Sequence, residues 1–212
     1  MGGPRPRFPR RFFERPATEV APDLLGARLR RRLPSGEVLV ARIVETEAYE
    51  PGDPASHSFR GLTPRNAAMF GPAGSLYVYF VYGMHWCANV VTRPEGEGSA
   101  VLLRAGEPVS GLDQMRELRS GRTLRDLCSG PARLAQALAV DGDLNGEDLV
   151  GGTSIWLERG TPLLEGDIVR SERVGVREGA ARPWRFREAD SPFTSRGRVT
   201  PGPTRTGAPP TR

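Results

Sequence analysis

Ser75–Thr92 reads SLYVYFVYGMHWCANVVT. From Leu76 to Tyr82 every residue is aromatic or aliphatic, the composition that strands favour. Gly83 permits a tight reversal, and apolar character resumes through Thr92. The stretch predicts a β-hairpin turning near Gly83, with strands over 75–82 and about 84–92. Side chains alternate faces along a strand, so Tyr77 and Tyr79 share one face. Tyr82 has the opposite parity and projects at the tip.

Working outward, Val38–Ala48 is apolar and β-branched and reads as another strand. A turn at 95–98 leads to a strand over Ala100–Ala105. Ser154–Leu157 and Asp167–Arg173 are shorter strand candidates. A helix is expected from Phe12 to about Arg30, interrupted by Pro16 and Pro22, with Leu24, Leu25 and Leu29 at helical spacing. Ser110 is a candidate cap for a helix to about Leu118. Ser129-Gly130-Pro131 begins a helix to about Val140, with Pro at an early helical position. These elements predict an α+β fold. A single domain carries a curved, mostly antiparallel sheet, an open barrel or roll, with peripheral helices. Residues 1–10 and 195–212 read as disordered basic tails, leaving 11–194 as the domain. The Pro- and Gly-rich segment 50–74 is long and irregular, and such loops are often functional.

The 30 basic residues are all arginine. GC-rich codon usage and a bacterial source explain that bias. The net charge of +5 divides unevenly: residues 1–16 and 195–212 carry +4 each, so the rest carries −3. A basic face on the body therefore needs local segregation of arginine. No apolar run reaches the roughly 18 residues of a membrane span. The N-terminus lacks an apolar signal segment. Two cysteines, Cys87 and Cys128, are too few for a disulfide scaffold and suit a reducing cytoplasm. His85 and Cys87 alternate on one strand, but no C-x-x-C or H-E-x-x-H spacing accompanies them. Neither a metal nor a cofactor is expected.

If residues 43–49 are extended, Ile43, Glu45, Glu47 and Tyr49 share one face. Two carboxylates so spaced suit acid/base work on a glycosidic bond. They equally suit a solvated strand edge. The tyrosines of the hairpin are either ordinary sheet aromatics or stacking surfaces, and an aromatic at a hairpin tip is suited to wedging between bases.

The motifs taken together discriminate further. IVETEAY (Ile43–Tyr49), HS (His57–Ser58), TPRN (Thr63–Asn66), MF (Met69–Phe70), LYVYFVYGM (Leu76–Met84) and VLLRAGEP (Val101–Pro108) occur in that order. LCSGP (Leu127–Pro131), WLERG (Trp156–Gly160) and RVGV (Arg173–Val176) follow. Their order and spacing resemble the alkyladenine (3-methyladenine, methylpurine) DNA glycosylase family over roughly Arg11 to Thr194.

The resemblance implies that a damaged purine is rotated out of double-stranded DNA into a pocket. Glu47 matches the family's general base, and Glu45 the acid that is not catalytic. Arg104 and the Val174 carbonyl match the groups that hold the attacking water with Glu47. Tyr49 and His57 match residues stacking on one face of the base, and Tyr79 the aromatic on the other. Asn89 matches the residue that disfavours guanine's exocyclic amine. Tyr82 matches the tip residue that fills the gap in the minor groove. Backbone contacts are expected from Arg65 in the TPRN turn and from Ser129 and Gly130 at the helix start, where N–H groups point outward. The implied enzyme is a monomer that excises 3-methyladenine, 7-methylguanine, hypoxanthine or ethenoadenine. Alternatives are an inert damaged-DNA binder and a carbohydrate hydrolase using Glu45 and Glu47.

The loop at 58–62 departs from the family, with apolar Phe59 and Leu62 where relatives tend to be polar. His85 and Trp86 replace other aromatics after Tyr82. Bifunctional glycosylases attack with an amine, commonly lysine. This chain has no lysine, which predicts a water nucleophile.

Overall fold

The computed structural model describes residues 6–81 and 83–195. Tyr82 lies outside the described residues, as does the arginine-bearing stretch from 196 onward. The elements in chain order are helices α1 (Arg10–Phe13) and α2 (Ala17–Asp23), and strands β1 (Arg28–Arg32), β2 (Val38–Tyr49), β3 (Leu76–Val81), β4 (His85–Thr92) and β5 (Ser99–Ser110). Helices α3 (Leu112–Leu118), α4 (Leu124–Leu127) and α5 (Pro131–Ala137) follow, then β6 (Ile155–Glu158), β7 (Ile168–Ser171) and β8 (Arg185–Glu188). All strand pairs are antiparallel, in the order β3-β4-β5-β2-β1-β6, with β8 joining β2 to β7. The sheet curls into a half-barrel flanked by the helices, the α+β domain expected.

The hairpin forms as read, with Gly83 at φ +68° in the turn. The expected long N-terminal helix does not. Pro16 starts α2, Pro22 sits in its last turn, and the chain then reverses at Gly26 (φ +83°). A Cβ at Gly26 would lie 2.3 Å from the Thr161 carbonyl oxygen. Residues 28–32 continue as β1, in which Leu29 is buried and Arg30 pairs with Glu158 (2.7 Å). Strand β8, RFRE, also went unexpected. Both strands are mostly arginine and acid and carry little apolar alternation. Strand β5 runs past Ala105 to Ser110, so Gly111 rather than Ser110 precedes α3.

Residues 6–10, the described part of the expected N-terminal tail, are packed. Phe8 is buried against Phe12 and Phe13 (ring centroids 4.3 and 5.8 Å), and Arg7 donates to the Val150 and Gly152 carbonyls. One aromatic gives a Pro/Arg segment enough apolar surface to dock.

Strand β2 is the centre of the molecule. It pairs with β5 along one edge. On the other it pairs with β1 over residues 38–42 and with β8 over 45–47. The register against β5 shifts between Ile43 and Glu45 and again between Glu45 and Thr46. These bulges break the simple alternation. Ala41, Ile43 and Ala48 lie in the main core, and the Thr46 hydroxyl donates to the Ala21 carbonyl of α2 (2.9 Å). Ile43 therefore faces the core, opposite to the expected placement, while Glu45, Glu47 and Tyr49 face the concave side. The same division runs across the sheet. Leu76, Val78, Ala88, Val90, Val101 and Leu103 fill the core. Tyr77, Tyr79, Cys87, Asn89, Leu102 and Arg104 line the opposite cavity. Both cysteines are free and buried. Among the described residues, no helix is long and apolar enough to cross a membrane.

Candidate active site

Antiparallel register sets the site in rows. Tyr77, Asn89, Leu102 and Glu47 are consecutive cross-strand partners on β3, β4, β5 and β2. Val91, Ala100 and Tyr49 form the neighbouring row. Strands lie about 4.8 Å apart, so four strands place these groups on one concave surface. The cavity over it has a volume of about 300 Å³, at the lower end of small-molecule pockets. His57 of the 50–66 loop, Val174–Val176 and the start of α5 close its sides.

Glu47 is fully buried. Its Oε2 accepts from Arg104 Nη1 (3.1 Å) and from the Tyr49 hydroxyl (3.0 Å), and its Oε1 accepts from the Val174 N–H (2.8 Å). A carboxylate has about four acceptor positions. Three are used, and the fourth is on Oε1 beside Val174. The Val174 N–H thus bonds Glu47 directly, while the resemblance assigns its carbonyl to the water.

Glu45 is equally buried but differently occupied. Its Oε1 accepts from Arg104 Nε (3.0 Å), Arg185 Nε (2.7 Å) and the Ser195 hydroxyl (2.8 Å), and its Oε2 accepts from the Ser195 N–H (2.6 Å). Four donors converge on it, three at Oε1 and one at Oε2. Burial alone would raise its pKa, but Arg104, Arg185 and the Ser195 bonds outweigh burial and hold the carboxyl below its usual range. Burial likewise opposes the charge on Arg104, and Glu47 and Glu45 more than restore it. The bulge and the unequal partners distinguish two acids that the sequence spaces alike.

The aromatic residues are packed and protonated. Burial first, and then the Glu47 charge, raises the Tyr49 pKa well above its ordinary value. Burial also raises Tyr79, with Cys87 adding to it, and pushes Tyr77 up to about 12. The His57 ring meets Tyr79 edge-on (centroids 4.4 Å, 80° between planes), and its Nδ1 lies 2.9 Å from the Tyr77 hydroxyl. Edge contact leaves no slot between His57 and Tyr79, so a base lying between them requires the rings to part. Asn89 donates to the Tyr77 carbonyl (3.0 Å) from within the cavity wall.

Burial, then the charge of Arg65, lowers the His57 pKa below 6.5. The unfolded chain binds the extra proton first as pH falls. His57 therefore reduces stability as pH drops through the unfolded value, and the loss is complete below the folded one. Urea midpoints measured from about pH 8 to about pH 5 should fall more steeply in the wild type than in His57→Gln. Parallel curves would remove this account.

None of the expected backbone-contact groups, Arg65, Ser129 and Gly130, lines the cavity. Arg65 donates to the Phe80 carbonyl (3.0 Å), tying the loop to the hairpin. The Ser129 hydroxyl accepts from Arg133 (2.9 Å), and the Gly130 N–H donates to the Cys128 carbonyl (3.0 Å). Gly130 thus spends its N–H internally. In the 58–62 loop, Phe59 and Leu62 are exposed. Asn66 pins this loop by donating to the His57 and Gly61 carbonyls (2.8 and 3.0 Å).

Sequence reasoning missed a second buried cluster. Arg173 Nη2 donates to Asp53 Oδ1 (2.9 Å), Nη1 also bonds Asp53, and Nη1 reaches the Ala48 carbonyl (3.0 Å). Both side chains are fully buried. The guanidinium lies over the rings of Tyr49 (4.7 Å) and Trp184 (5.3 Å). It fixes the residue before Val174 and one face of Tyr49 together. Arg173 stands in the RVGV motif, but nothing in the sequence couples it to Asp53, 120 positions away.

Comparison with known proteins agrees with this architecture. The family model for methylpurine-DNA glycosylase (MPG) matches residues 11–192. A protein of Carboxydothermus hydrogenoformans is 49% identical over 89% of this chain and 98% of its own length. One from Burkholderia cenocepacia is 51% identical over 84% of this chain and 86% of its own. One from Streptomyces avermitilis is 48% identical over 88% and 89%. All three are provisionally named 3-methyladenine DNA glycosylase. With a matched region that spans the whole sheet and every group around Glu47, the chain belongs to the methylpurine-DNA glycosylase family.

Proposed function

We propose that the protein excises alkylated or deaminated purines from double-stranded DNA by hydrolysis, with Glu47 activating water. The observation that carries this reading is a fully buried carboxylate with one acceptor position left among the described residues, bonded to Tyr49, Arg104 and Val174, which line an aromatic-walled cavity. Water attacks the sugar C1′ as the bond to the purine nitrogen breaks. Glu47 takes a proton from that water and faces the positive charge developing on the sugar. The purine leaves with the bonding electrons, and an abasic sugar remains. A cationic base such as 3-methyladenine or 7-methylguanine leaves as a neutral molecule. Its charge also favours aromatic contact by about 0.5–2 kcal/mol. Hypoxanthine and ethenoadenine must gain a proton to leave as readily.

In this reading Tyr49, His57 and Tyr79 contact the flipped base and Asn89 limits which purine fits. Tyr82 fills the space it vacates. Arg65, Ser129 and Gly130 lie along the DNA backbone, and the chain acts as a monomer in the bacterial cytoplasm. Its arginine-bearing C-terminal tail adds salt-sensitive affinity. The competing carbohydrate-hydrolase reading requires two carboxylates open to a sugar. Glu45 is fully buried beneath Arg104, Arg185 and Ser195 and is not open to a sugar.

No lysine exists to form a Schiff base. Borohydride added during turnover on a hypoxanthine duplex should trap no enzyme–DNA adduct, and the product strand should stay intact until alkali cleaves it. A trapped adduct would overturn the water mechanism.

A further inference from the structure

We propose that Ser195 is a positioning residue for base release, holding Arg104 toward Glu47. The proposal rests on Glu47 being the water-activating base. An arginine presents its donors in a rigid planar fork. In Arg104 all three nitrogens are engaged: Nε with Glu45 (3.0 Å), Nη1 with Glu47 (3.1 Å) and Nη2 with the Ser195 hydroxyl (3.2 Å). The third contact restrains the tilt of the plane about the line through the other two. Ser195 also holds the group against which Arg104 braces. Its N–H and hydroxyl both donate to Glu45, at 2.6 and 2.8 Å. One short side chain at the end of the described chain thus touches the catalytic arginine and its buried counter-charge.

The hydroxyl performs two tasks in the same geometry, since oxygen donates its proton to Glu45 while its lone pair accepts from Arg104. Alanine retains the backbone N–H to Glu45 and removes both hydroxyl bonds. The Nη2 end then loses its acceptor, and the fork is held only through Nε on Glu45 and Nη1 on Glu47, so Nη1 is placed less firmly. Ser195 bonds only Arg104 and Glu45 among the described residues and none of Tyr77, Tyr79 and Asn89, so binding of the lesion is expected to survive.

The test is single-turnover base release, with saturating enzyme, from a duplex carrying one hypoxanthine. It compares the full-length wild type with Ser195→Ala, Ser195→Thr and Glu47→Gln. A lost bond to a charged group corresponds to roughly a 10- to 100-fold effect. Ser195→Ala should slow release by that factor while Kd for the same duplex is unchanged, and Ser195→Thr, which restores a hydroxyl, should recover most of the rate. A general loss of packing would weaken binding as well, and threonine would not repair it. If Ser195→Ala releases base at the wild-type rate while Glu47→Gln does not, the positioning role fails and the role of Glu47 stands. A threonine variant as slow as alanine also refutes the positioning role. If Glu47→Gln itself releases base normally, the underlying reading fails first.

Discussion

Glu47→Gln should reduce base release about a hundredfold to ten-thousandfold, the usual contribution of a positioned general base, while leaving affinity for a lesion-bearing duplex intact. Glutamine matches glutamate in size, so the cavity wall keeps its shape. What changes is the donor count. Three donors converge on Glu47: Arg104, the Tyr49 hydroxyl and the Val174 N–H. A glutamine amide supplies one acceptor oxygen and an NH₂ group, so one of its ends must face a donor. The Tyr49 hydroxyl can rotate to accept, which limits the loss of stability. It cannot restore a site for the water's proton. Single-turnover release measured beside equilibrium binding separates the two effects. An unchanged release rate would show that Glu47 is not the base. A parallel loss of binding would show that its role is structural.

Asp53→Ala should be the most destabilising single change near the site. It leaves the Arg173 guanidinium fully buried without its carboxylate. Breaking one side of such a pair typically costs about 3–5 kcal/mol. For a chain of this size that corresponds to a Tm lower by about 10 °C. Arg182, 3.4 Å from Asp53, loses a partner as well. The effect also reaches the chemistry. Arg173 holds the Ala48 carbonyl, covers the Tyr49 ring and precedes Val174, whose N–H rests on Glu47. The double variant Asp53→Ala, Arg173→Met removes both charges and should recover part of the lost Tm, because no charge is then stranded. Calorimetry on the three proteins decides it. A Tm within about 2 °C of wild type for the single variant would mean that solvent reaches Arg173 and the burial argument is wrong.

The legibility of this fold varied with the kind of residue involved. The hairpin and β2 were readable because aromatic and β-branched residues run continuously and Gly83 marks the turn. Strands β1 and β8 were not, since RLRRR and RFRE owe their conformation to pairing with β2 and to ion pairs with distant acids. The N-terminal helix was overextended because helical leucine spacing at 24, 25 and 29 coincides with burial on both sides of a reversal. Only the Thr161 carbonyl packed against Gly26 shows why the chain turns there.

The sequence alone determined the family resemblance, the α+β class, the candidate base, and the absence of any lysine amine for covalent attack. Each of those depends on residue identity and order. Tertiary structure decided which way the acids point and what each one holds. Two bulges in β2 turn Ile43 to the core and Glu45 and Glu47 to the opposite face, against the simple alternation of a strand. Partners from β5, β8, the 174 loop and Ser195, with Tyr49 of β2 itself, then place four donors on Glu45 and three on Glu47. Those partners lie up to 150 positions away in the chain. Hydrogen-bond occupancy is a property of what surrounds a side chain in space, and no local pattern of residues encodes it.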